Sequence, residues 1–163
     1  LPGSGQALAI VAALAAVLNG ARFLRWRGWL TGRVPLVWVL HLGYAWLVIG
    51  LALKALAAID LLAPTIAVHA LTAGAVGTMI LAVMSRASLG HTARKLEAGR
   101  MTTLAYLLVT LGAALRVAGP WVAPADAGEA ILAAGVLWAA GFALFSIRYW
   151  PILTLPRVDG RQG

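Results

Sequence analysis

The stretch that decides the fold is HALTAGAVGTMILAVMSRASLGHTARK, His69 to Lys95. From Ala70 to Met84 it holds no charged residue, and small side chains recur along it. Beyond Ser85 the character changes, with Arg86, Arg94 and Lys95 gathered at the far end. An uncharged run closed by basic residues is the pattern of a helix that leaves the bilayer at a basic water boundary. One such run can equally be the buried helix of a soluble protein, so the decision comes from what flanks it.

Four more apolar runs flank it. The spans read from the sequence are Gln6 to Phe23, Pro35 to Ile59, Thr65 to Ser85, Thr102 to Ala118 and Ala127 to Trp150. Pro35 suits a first helical turn. The Gly119–Pro120 pair and Pro151 are read as the stops of the last two. Overall the chain is 62% hydrophobic and 11% charged. Soluble domains average ~45–50% and ~25%, so there is too little polar surface here to face water. The expected fold class is all-α, a polytopic membrane helix bundle with about five transmembrane helices. Residues 1–163 are expected to form one transmembrane domain, the C-terminal part of a longer chain, because Leu1 is no initiator and Leu1 to Gly5 lacks the basic start of a signal peptide.

The net charge of +8 would by itself suggest nucleic acid. Its placement argues otherwise. Arg22, Arg25, Arg27 and Arg33 lie between the first two spans; Arg86, Arg94, Lys95 and Arg100 between the third and fourth; Arg148, Arg157 and Arg161 at the end. Only Lys54 and Arg116 of the thirteen basic residues fall elsewhere, at span ends where they can snorkel. Basic residues on alternate connections are a topology signal, placing the N-terminus outside and the C-terminus in the cytoplasm. The partner expected is therefore the lipid bilayer, not nucleic acid, joined by the N-terminal half of the parent chain if this is a fragment. Trp26, Trp29, Trp38, Trp121, Tyr149 and Trp150 lie near span ends and read as an interfacial belt, while Trp46 and Trp138 read as packing residues.

Small residues repeat every fourth position at Ala12, Ala16 and Gly20 and at Ala70, Gly74 and Thr78, beside Ala73 and Gly77. Such stripes let a neighbouring helix, or a flat ligand, approach the backbone. Helix packing is the favoured reading.

Ionisable groups within a span are costly and mark function or a polar contact inside the bundle. His41 and His69 are such groups. Neutral imidazole ligates haem iron or copper; the bland alternative is a hydrogen bond to a neighbouring helix. With the spans oriented as above, His41 lies roughly 8 Å to the cytoplasmic side of the midplane and His69 roughly 9 Å to the outer side. Two axial ligands of one iron need nitrogens only about 4 Å apart, so the two histidines are expected to serve separate sites. Met79 and Met84 fall near the His41 layer. His91 lies past the cytoplasmic end of its span, where a solvated residue is the bland reading. The sequence has no cysteine, which excludes disulfides, iron–sulfur clusters and covalently attached haem.

The block HALTAGAVGTMILAVMSRASLGHT, with HLGYAWL (His41 to Leu47), AYLLVTLGAALRV (Ala105 to Val117) and the tail RYWPILTLPRVDGRQG, resembles the NnrS family of bacterial inner-membrane proteins. The resemblance runs from Arg22 to Gly163. It implies a larger membrane fold of which these spans look like the last, bound haem and copper, and a role in tolerance of nitric oxide and related nitrogen species. His41, His69 and His91 fall on family-like motifs and are the candidate metal ligands, with His41 and His69 the candidates for cofactor binding. Without cysteine the haem would be haem b. The implied localisation is the bacterial inner membrane, multi-pass, with a periplasmic N-terminus. Two other readings stand beside this one: part of a transporter or permease, and a structural bundle without its own cofactor.

Overall fold

Hydrophobic length sets the helices. The computed structural model describes residues 4–122 and 124–160. Five helices carry the five apolar runs: α1 (Ser4–Arg25), α2 (Pro35–Ala57), α3 (Pro64–His91), α4 (Arg100–Val122) and α5 (Ala127–Thr154). Each is long and apolar enough to cross a membrane. No strand occurs among the described residues. The fold is all-α, and the chain is a multi-pass membrane protein.

Successive helices run antiparallel, and glycines set how closely they approach. On α2 and α3, Gly43 lies beneath Met79, Gly74 beneath Trp46 and Gly50 beneath Leu71, each close enough that a Cβ would meet the opposing side chain at 2.5–2.9 Å. On α4 and α5 the approach is backbone to backbone. A Cβ on Gly112 would lie 2.8 Å from the Ala134 carbonyl oxygen, and one on Gly141 would lie 2.9 Å from that of Ala105. The core sits at one end of the bundle, where Leu36, Val39, Leu81, Val109, Phe145 and Tyr149 are buried together. A smaller cluster of Trp46, Ala70, Ala75 and Ala113 fills the other end. Helix α1 is the least enclosed; it buries Ala12 and Ala16 and is tied to α2 by the Tyr44 hydroxyl, which donates to Asn19 Oδ1 at 2.6 Å.

Three local expectations are corrected. Helix α4 does not stop at Gly119–Pro120 but runs to Val122, and α5 passes Pro151 to end at Thr154. A proline so near a helix end removes a single i→i−4 bond. Beyond Pro151, buried Ile152 still packs into the core. Tyr149 is no belt residue. It is buried and stacks on Phe145, with ring centroids 4.4 Å apart.

Helix α3 has an irregularity with no compositional sign. Ala70–Val76 is π-helical, while Pro64–His69 and Gly77–His91 are α-helical. Such stretches widen the turn and release carbonyls from the regular ladder. One of them, the Ala73 carbonyl, accepts a hydrogen bond from Trp138 Nε1 of α5 at 3.2 Å.

Candidate functional site

The two mid-span histidines face different spaces. His69 lines a cavity of about 650 Å³ between α3, α4 and α5. Its walls are mostly small or apolar: Ala73 and Gly77 from α3, Gly112 from α4, Gly135, Trp138 and Phe142 from α5. The stripe on α3 therefore divides its work. Ala70 and Gly74 are buried in the packing of α3, Gly74 against Trp46 of α2, whereas Ala73 and Gly77 lie on the cleft wall against Trp138 of α5. The cavity is a cleft, because Val76 and Ile80 on one rim and Ile131 and Gly135 on the other are exposed.

The polar group at the inner wall of the cleft is Arg116. Its Nη2 lies 3.0 Å from His69 Nε2. A guanidinium only donates, so Nε2 accepts, and the imidazole is neutral with its proton on Nδ1. Sequence reasoning treated Arg116 as a snorkelling residue. The structure places it six residues before the end of α4, about 9 Å from the last residue, Val122, at a rise of ~1.5 Å per residue. An arginine read within its own span carries no hint of a partner 47 positions away.

His41 lines a second cavity, of about 500 Å³, with Trp26, Leu40, Tyr44 and Met79. Its Nδ1 lies 3.1 Å from the Val37 carbonyl oxygen, one turn back on α2. A carbonyl only accepts, so Nδ1 carries a proton, and in the neutral ring the lone pair is then on Nε2. The connection from α1 closes over this ring. Arg27 adopts a left-handed backbone (φ 48°), which turns Gly28 against His41. A Cβ on Gly28 would meet His41 Cγ at 2.6 Å, so only glycine fits there. Trp26 packs edge-on to the imidazole, centroids 6.2 Å apart. Of the two methionines considered from sequence, Met79 reaches this layer and Met84 is exposed.

The α2–α3 register gives the separation of the two layers. Gly43 opposite Met79, Trp46 opposite Gly74 and Gly50 opposite Leu71 place His69 at the level of Ala52. His41 is thus some three turns away, about 16 Å along the helix axis at ~1.5 Å per residue. Each imidazole lines its own cavity.

His91 stands apart from both. It ends α3 with its ring exposed, and its carbonyl accepts from Arg157 Nη1 at 2.7 Å. The same guanidinium makes a forked pair with Asp159 at 2.8 and 2.9 Å, which raises the Arg157 pKa above its ordinary value. The tail after α5 is thereby fastened to the end of α3. Among the described residues, no three of His, Cys, Asp and Glu converge closely enough to hold a metal by themselves.

A family model described as NnrS protein matches residues 2–157, nearly the whole chain. The chain belongs to the NnrS family. No curated protein and no solved structure gives a significant match. Within this NnrS chain, the two sequence-expected histidines that lie mid-span each line a cavity, and the third does not join them. Arg116, Trp138 and Gly28 were not singled out for either site from the sequence. Trp138 did carry a usable signal, since an indole N–H deep in a span needs a buried acceptor.

Proposed function

We propose that this chain helps to hold a haem and a copper ion within the membrane, in a protein that serves tolerance of nitric oxide and related nitrogen species. The observation that carries the reading is the placement of His41 and His69 in separate layers, each on its own cavity. NnrS family membership supports it.

The residues fit the two groups differently. The His41 cavity offers an imidazole whose Nδ1–H is held by Val37 and whose Nε2 lone pair is free, the usual outer-sphere arrangement of a metal-binding histidine. Met79 adds a thioether to the same cavity. Imidazole with thioether is a donor set that suits copper(I). The His69 cleft is larger, and its mostly apolar walls suit a flat macrocycle. Its volume lies in the ~300–1,000 Å³ range of small-molecule and cofactor sites. His69 would reach a metal through Nε2 once Arg116 releases it. With no cysteine in these 163 residues, they would hold the haem without a covalent thioether link, as haem b is held.

Haem or copper held by His69 or His41 would supply a metal centre at which nitric oxide could bind. The chain's own residues do the rest. Val37 fixes the tautomer of His41, Gly28 and Trp26 cover its ring, and Trp138 with Phe142 walls the cleft against water. The N-terminus is proposed to lie outside the bacterial inner membrane and the C-terminus inside, on the basic residues of alternate connections.

The test is cofactor content in the purified full-length protein. His69→Ala is expected to lower bound haem, and His41→Ala to lower bound copper. Unchanged content of both groups in both variants would overturn the proposal. His91→Ala forms a third arm: copper loss there extends the copper site to the end of α3, and retention keeps His91 out of it.

A further inference from the structure

Arg116 is the least expected residue in the bundle. It cannot give up its charge, because a guanidinium stays protonated under any condition the fold survives. Among the described residues, no aspartate or glutamate lies within 4.0 Å of it; the ion pair found is Arg157–Asp159. Its one hydrogen-bond partner given by the structure is the neutral imidazole of His69, which takes a single N–H. A guanidinium has five. A half-buried cation on an apolar helix with most of its donors uncommitted is costly, and in known membrane proteins such a residue usually faces a ligand or ion.

The space in front of it narrows the choice of ligand. A small inorganic anion would occupy only the Arg116 end and leave the rest of a cleft of about 650 Å³ unfilled. Apart from His69 and from Thr72, whose hydroxyl donates to the Val68 carbonyl, the remaining walls are small or apolar, and Trp138 and Phe142 form a tilted pair of rings with centroids 4.3 Å apart. The rim is apolar and exposed on both sides, through Val76 and Ile80 of α3 and Ile131 of α5.

We propose that Arg116, steadied by His69, is the anchor of a carboxylate-binding site whose ligand carries an apolar body into the cleft between α3, α4 and α5. Arginine matches a carboxylate with two parallel N–H···O bonds, which gives orientation as well as strength. The carboxylate has two sources of the same chemistry: the acid side chains of a macrocyclic cofactor, or a fatty acid from the bilayer. The proposal does not depend on metal ligation by His69, and its test uses no metal.

The experiment compares acid and ester forms of two probes on the purified protein in detergent. The first pair is metal-free protoporphyrin and its dimethyl ester, followed by porphyrin fluorescence anisotropy. The second is tritiated oleate and methyl oleate, followed by equilibrium dialysis. An acid that binds about tenfold or more tightly than its ester is the size expected when a charged hydrogen-bond partner is lost. Arg116→Gln should close that gap, and Arg116→Lys should keep part of it. A gap for porphyrin assigns the site to a macrocycle's acid groups, and a gap for oleate alone assigns it to a lipid acid. Equal binding of acid and ester for both pairs, or no binding of either acid, overturns the site. So does a gap that survives in Arg116→Gln. If Arg116→Gln does not fold, the acid-to-ester ratio of the parent protein decides. Metal-free porphyrin that binds through Arg116 while His69→Ala retains haem would sink the ligation proposal and leave this one standing.

Discussion

Two alanine substitutions one helix contact apart should move stability in opposite directions. A methyl group at Gly112 would lie 2.8 Å from the Ala134 carbonyl oxygen and 2.9 Å from the Trp138 backbone nitrogen. Ordinary contact begins near 3.4 Å, so α4 and α5 must part by roughly half an ångström, and neither opposing atom belongs to a flexible side chain. Overpacking of this kind costs ~1–3 kcal/mol. Alanine returns up to ~1 kcal/mol of helix propensity. Gly135, next in sequence to Ala134, has nothing within 4 Å of the position its Cβ would take. There the propensity gain of up to ~1 kcal/mol acts alone. The two variants should therefore differ by about 1–3 kcal/mol, or roughly 2–12 °C in Tm at ~2–4 °C per kcal/mol for a chain of this length. Thermal unfolding in one detergent, followed by helical circular dichroism, is the assay. Gly112→Ala should melt below the parent and Gly135→Ala at or above it. Equal shifts would show that the close approach of α4 and α5, and with it the wall of the large cleft, is wrong.

Two further outcomes follow from other contacts. Met79→Leu keeps volume but removes the sulfur from the His41 cavity, at a packing cost below ~1.5 kcal/mol; bound copper should fall while bound haem and Tm hold, and unchanged copper by elemental analysis would exclude the thioether. Tyr44→Phe deletes the 2.6 Å hydrogen bond to Asn19, for which intramembrane pairs average ~0.6 kcal/mol; Tm should drop by a few degrees at most, and α1 should become more accessible to protease or labelling, an effect that Asn19→Ala should not deepen in the double variant.

The helices were legible because lipid imposes one coarse rule, a run of about twenty apolar residues, and all five runs obey it. Their ends were less so. Pro120 and Pro151 looked like stops because proline breaks helix interiors, yet each lies within three residues of a terminus, where one hydrogen bond is all that is lost. The separation of His41 from His69 along the helix axis was legible, since α2 is centred on Trp46 as the hydrophobic pattern required and α3 runs antiparallel to it. Partnership was not legible. His69 and Arg116 sit on separate spans, and nothing in either segment announces the other. The Tyr149 ring was placed by its position near a span end, whereas its burial depends on Phe145 and on α4.

The wide turn at Ala70–Val76 has a consequence for how one rod can serve two rooms. Each extra residue absorbed into a helix rotates everything beyond it by about 100°. His69 precedes that insertion and Met79 follows it. The phase slip lets a single span aim its imidazole at one neighbour and its sulfur at another without bending its axis. Deleting one residue between them would reset the azimuth, turning one of the two groups out of its chamber while leaving hydrophobic length, and so insertion into the bilayer, intact.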